Sequence, residues 1–140
     1  MKTNRFLIAV MLFAGAIIFI AACKKESPIS EEEKAVQMIQ EKMLGRWNLI
    51  EFIEETKKGN EPPVIIDNDP KNVYFEFFAN GRGKTNAEGE EEFSYEVKPN
   101  ILVLWGAEQA IIELTDNKFT FKNTVTLSGI TYTQTYYLTR

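Results

Sequence analysis

From Trp47 onward the chain is interrupted about every ten residues by a turn signal, and the segments between these turns follow the period of two that marks strands. The signals are "ANGRG" at 79–83, Pro99-Asn100, Gly106-Ala107, Asp116-Asn117 and Ser128-Gly129. They delimit eight expected strands, at 46–56, 72–78, 83–88, 91–98, 100–105, 108–114, 118–127 and 130–139. A parallel neighbour needs a crossover of about a dozen residues or more, so links this short impose antiparallel pairing. Only the connection 57–72, "KKGNEPPVIIDNDPKN", is long. Eight antiparallel strands in a meander close into an up-and-down barrel without a free edge.

The turns also predict register. A two-residue turn at Ser128-Gly129 sets Val125 against Tyr132, Asn123 against Gln134, Phe121 against Tyr136 and Phe119 against Leu138. A turn at Asp116-Asn117 sets Leu114 against Phe119 and Ile112 against Phe121. The apolar members fall on one face, while Thr120, Lys122, Thr124, Thr126, Thr131, Thr133 and Thr135 fall on the other. A slip of one residue would bury that polar row. The segment "ILVLWG" at 101–106 resists assignment, because the preceding turn points Leu102 and Leu104 inward and the following one prefers Ile101 and Val103. A bulge or a displaced turn is required there.

Ahead of the strands, Ser30 and Glu33 form a capping box, and Val36, Ile39 and Met43 recur at helical spacing until Gly45. These features predict an amphipathic helix over 31–44, its apolar stripe packed on a barrel of 46–139. The domain spans 31–140, behind a tether of 23–30.

The first 22 residues have a different character. Lys2 and Arg5 precede an apolar run from Phe6 to Ile20, followed by Ala21 and Ala22. A spanning helix needs about 20 apolar residues, and this run stops short of it, so 1–22 reads as an export signal. Ile20-Ala21-Ala22-Cys23 resembles the lipobox of bacterial lipoproteins. The resemblance implies cleavage before Cys23, lipid on its thiol and acylation of the new amine. Three chains, at about 0.8 kcal/mol per buried methylene, hold a membrane far better than one. Lys24 in place of Asp implies outer-membrane placement, at the periplasmic face or the cell surface, and "CKKESPISEEE" is similar to the tethers of surface lipoproteins in Bacteroidota. Cys23 is the one cysteine, so no intramolecular disulfide exists and core packing must hold the fold.

Removing residues 1–22, which carry two basic and no acidic side chains, leaves 118 residues with 14 basic against 20 acidic groups. This balance provides no basic stripe and argues against a nucleic-acid partner. Histidine is absent, which removes the usual general base and the commonest metal ligand. No Gly-x-Ser-x-Gly elbow occurs, so no catalytic residues are assigned and an enzyme is not expected. "DNDP" at 67–70 opens like a calcium loop but has Asn72 and Phe78 where glycine and glutamate belong, and "EGEEE" at 88–92 reads as a solvated acidic turn. Neither metal nor cofactor is expected.

Gly45-Arg46-Trp47 at the start of the first strand resembles the Gly-x-Trp signature of lipocalins, and "FFANGRG" resembles a hairpin of short lipocalin-like lipoproteins of Bacteroidota. The resemblance covers 44–140. It implies that Arg140 packs over Trp47 to close one end, and that 57–72 is a lid at the other, with Val64, Ile65 and Ile66 folding inward. The expected fold is thus all-β, a lipocalin-like eight-stranded barrel behind one short helix. The expected function is binding of a small hydrophobic or amphipathic ligand by a membrane-anchored monomer. The competing expectation is a filled barrel that contacts another envelope protein. Candidate ligand contacts are Asn123, Gln134, Tyr132 and Tyr95, where polar groups converge on an apolar wall.

Overall fold

The computed structural model describes residues 27–140; the expected export signal, Cys23 and the first part of the expected tether lie outside the described residues. Helix α1 spans Glu31–Met43, and its first turn carries the predicted capping box, with Ser30 and Glu33 each bonding the other's backbone N–H. Met43 is buried, and Val36 and Ile39 pack against the barrel core.

Nine strands follow: β1 Gly45–Lys58, β2 Val64–Asn68, β3 Tyr74–Phe77, β4 Arg82–Thr85, β5 Glu91–Lys98, β6 Ile101–Leu104, β7 Ala107–Leu114, β8 Lys118–Leu127 and β9 Ile130–Thr139. All pairings between them are antiparallel. The first quarter of β1 pairs with β3, and most of its length pairs with β9. That second pairing closes β1 and β3 through β9 into an eight-stranded up-and-down barrel. The ninth strand, β2, is an addition. It pairs with the upper part of β1, from Phe52↔Asn68 to Thr56↔Val64.

That strand corrects the expectation of a lid. Val64, Ile65 and Ile66 do not fold over the barrel; hydrogen bonding to β1 holds them in an extended wall, where Val64 remains 65% exposed. A β-branched run beside the free edge of β1 satisfies its backbone groups more completely as a strand than as a loop.

The final hairpin has the predicted register at every position. Two bulges interrupt the others, between Leu49 and Glu51 in β1 and between Ile111 and Glu113 in β7. Leu114 faces Phe119 as expected, but Ile111 takes the place predicted for Ile112 opposite Phe121, and Ile112 points outward at 54% exposure. The same bulge reconciles strand β6. Leu102 and Leu104 are fully buried, the following turn sits at Trp105-Gly106 rather than Gly106-Ala107, and the extra residue at Ile112 restores alternation farther along.

Inside, Trp47, Phe75, Phe77, Phe119 and Phe121 pack edge to face, with centroids 5.5 Å apart for Trp47–Phe119 and 6.0 Å for Phe77–Phe119. This aromatic column fills the helix-side half of the barrel. At its base the Arg140 guanidinium lies 4.1 Å from the Trp47 ring centroid. It also donates to the carbonyls of Leu44 at 2.7 Å, Lys42 at 3.2 Å and Asp116 at 2.7 Å. One side chain thereby ties the last turn of α1 to the β7–β8 turn. The Trp47 indole N–H donates to the Met43 carbonyl at 2.8 Å. Gly45 lets the chain turn from helix to strand at φ 98°, a conformation that side chains resist.

Candidate functional site

The opposite end of the barrel is not packed in this way. Beyond Phe121 and Tyr136, which stack at 4.8 Å, the next inward residues on β8 and β9 are Asn123 and Gln134, set directly opposite each other. They do not bond to each other. The Asn123 Nδ2 donates to the Glu108 carbonyl at 2.8 Å, and the Gln134 Nε2 donates to the Glu54 Oε1 at 3.3 Å. The other oxygen of Glu54 accepts from the Asn68 Nδ2 at 3.3 Å.

These contacts belong to a continuous row. Gln134 is paired with Glu54 across β9 and β1, and Asn68 lies one diagonal step away on β2. On the other side, Ile111↔Phe121 and Ala110↔Lys122 bring Gln109 into line with Asn123. A polar belt of Gln109, Asn123, Gln134, Glu54 and Asn68 thus crosses five neighbouring strands at one level of the inner wall. Gln109 is only 6% exposed, and its Oε1 has no hydrogen-bond partner among the described residues. Leaving a buried acceptor unpaired costs on the order of 1–3 kcal/mol, which a filled, well-satisfied core would not retain.

Two recesses open on this belt. One, of about 170 Å³, is bounded by Leu104, Trp105, Gln109, Phe121 and Tyr136. The second, of about 300 Å³, is bounded by Glu54, Thr56, Val125 and Tyr132. Both include Asn123 and Gln134, and neither is lined by a lysine or arginine. Trp105 stands at the rim, 53% exposed, with its ring 5.6 Å from Phe93 and 6.3 Å from Phe75. Burial, and then the Glu54 and Glu88 carboxylates, hold the Tyr136 phenol above its ordinary value of 10.0, so it stays protonated and able to donate.

Three of the four predicted contacts, Asn123, Gln134 and Tyr132, therefore meet at this mouth. Tyr95 does not. It lies toward the helix end, its hydroxyl donating to the Phe78 carbonyl at 2.7 Å and its ring 5.2 Å from Phe77. The short β4 and the turn at 78–81 bring that carbonyl within reach, which satisfies the phenol away from the mouth. Glu54, Gln109 and Asn68 were not expected from sequence. Period-two alternation carried from Trp47 points Glu54 outward, and carried back from Leu114 it does the same to Gln109; one bulge in each strand reverses both. Comparison with protein-family models, curated proteins and solved structures returns no match.

Proposed function

We propose that this protein is a lipid-anchored, non-enzymatic binding module of the bacterial cell envelope, with a lipocalin-like barrel that takes a small amphipathic molecule at its open mouth. The observation that carries the reading is the change along the inner wall, from close-packed aromatics to a half-buried amide and carboxylate belt beside open recesses. Apolar walls with a few convergent polar groups are the usual make-up of small-molecule sites. The pairing of Arg140 with Trp47 and the Gly45-Arg46-Trp47 start of β1 support the lipocalin-like assignment. The lipobox-like Ile20-Ala21-Ala22-Cys23 supports the anchor, and the Lys24 that follows it supports the outer membrane.

Paired native and denaturing mass spectrometry of the protein taken from its own envelope tests the binding role. A small molecule present in the native spectrum and lost on denaturation is expected. Protein of identical mass in both spectra, with Trp105 emission unchanged by envelope extracts, contradicts the reading. The anchor is tested separately: Cys23→Ser should leave the protein unprocessed or move it out of the membrane fraction, and normal size with membrane retention would contradict it.

A further inference from the structure

We infer that the mouth takes its ligand head first: a protonated amine sits on the belt of Glu54, Gln109, Asn123 and Gln134, and an apolar body lies outward against Val64, Ile66, Val125 and Trp105. The inference rests on the reading of the mouth as a ligand site and adds the chemical class and the orientation of the occupant.

The hydrogen bonds of the belt leave acceptors to spare. The amide nitrogens of Asn123, Gln134 and Asn68 each spend one of their two N–H donors on a protein oxygen. The acceptor side of each amide stays open, and the ionised Glu54 carboxylate keeps acceptor capacity beyond the two amides it already holds. Gln109 adds a buried acceptor with no partner among the described residues. Glu54 is the charged member of the belt, so a ligand that both donates and carries positive charge gains most there, and an ammonium brings three donors and a charge.

The charges around the recesses favour a cation. Neither recess is lined by a basic side chain, and the inward-facing Glu54 carboxylate lines one of them. Burial first, and the Glu54 and Glu88 carboxylates second, raise the Tyr136 phenol beside them. A carboxylate or phosphate head placed here would meet like charge with no counter-ion, which is strongly unfavourable away from bulk water.

The apolar surface lies on the outer side of the belt. Strand β2 and the upper parts of β1, β8 and β9 extend past the closed barrel. Residues directly opposite one another share a face, so Val64, opposite Thr56, and Ile66, opposite Glu54, lie on the inner face with Val125 and Tyr132. Ile66 is 52% exposed, and Val125 and Tyr132 are also open to solvent. The apolar wall therefore lies outside the polar belt, the reverse of the order that a tail-first ligand requires. The opposite rim is Trp105, which can cover an alkyl chain.

The test uses the full chain in lipid nanodiscs, titrated separately with hexylammonium, hexanol and hexanoate, and read by Trp105 emission and calorimetry. A charge-assisted hydrogen bond predicts hexylammonium binding roughly tenfold or more tighter than hexanol, with hexanoate weakest. Glu54→Gln should remove most of that preference, and Gln109→Leu should reduce it, with the Trp47 signal reporting an intact fold in both. Equal affinity for the three probes, or tighter binding of hexanoate, overturns the amine assignment and leaves the binding-module reading in place. Absence of any response to all three overturns this inference; a molecule still retained in the native mass spectrum would show that the binding role itself survives.

Discussion

The two ends of the barrel are built from the same strands, and each carries one of the two tryptophans, yet they are finished in opposite ways. Trp47 is fully buried beneath Arg140, with its indole N–H bonded and the aromatic column packed above it. Trp105 stands half exposed at the rim of a recess whose belt includes an unpartnered acceptor. The helix end resembles a surface optimised for stability, whereas the mouth retains polar groups that a core alone would have discarded. Close packing and incompletely satisfied polar groups are thus segregated along one short barrel axis.

The contrast predicts an asymmetry in the effect of mutations, which is largest for side-chain truncation. Phe119→Ala, at the centre of the packed column, should cost about 3–5 kcal/mol in denaturant unfolding. Tyr132→Ala, on the same inner face at the mouth, should cost about 0.5 kcal/mol or less. Similar losses at the two positions would break the comparison.

Gly83 sharpens it. A Cβ there would lie 2.4 Å from the Phe93 ring and 2.5 Å from the Glu76 carbonyl, so Gly83→Ala should lower stability by about 1–3 kcal/mol through overpacking. Arg140→Ala should cost about 1–2 kcal/mol and alter Trp47 emission, because it removes three carbonyl contacts and the ring contact together. Arg140→Lys should restore only part of the loss, since an ammonium cannot span the same carbonyls with a planar fork.

At the mouth the sign should reverse. Gln109→Leu removes a buried acceptor that has no partner among the described residues and should leave stability unchanged or raise it by about 1 kcal/mol. The smallest effect is in pH dependence. The Tyr136 phenol is held above its ordinary value, so its contribution to stability is complete below about pH 10 and is lost as pH rises through the folded-state value. Tyr136→Phe should flatten that alkaline decline in a series of unfolding curves.

How far the sequence reveals this arrangement depends on the bulges. The eight barrel strands are legible because two-residue turns punctuate them, and the last hairpin is legible to the residue because Ser128-Gly129 is a tight turn between ten-residue strands. Asn123 and Gln134 follow from that register. Glu54 and Gln109 do not, because each faces inward only once an extra residue at Ile50 or Ile112 has reversed the alternation, and neither isoleucine marks a bulge locally. Strand β2 is hidden for another reason. Its five residues sit in a long polar connection, and only the partner edge on β1 makes them a strand. Tyr95 was placed by its inward parity alone, which gives the face of a strand but not the height at which a hydroxyl finds its partner.

The most direct test of the account uses the two tryptophans as reporters of the two ends. Emission and acrylamide quenching of the wild-type protein and of Trp105→Phe would be followed while a small-molecule extract of the envelope is added. The account predicts that the wild-type signal shifts to shorter wavelength and becomes protected from quencher, and that the variant, reporting Trp47 alone, does not respond. A response carried by Trp47, or a Trp105 that stays fully quenchable at every extract concentration, would contradict the assignment of the mouth as the binding end.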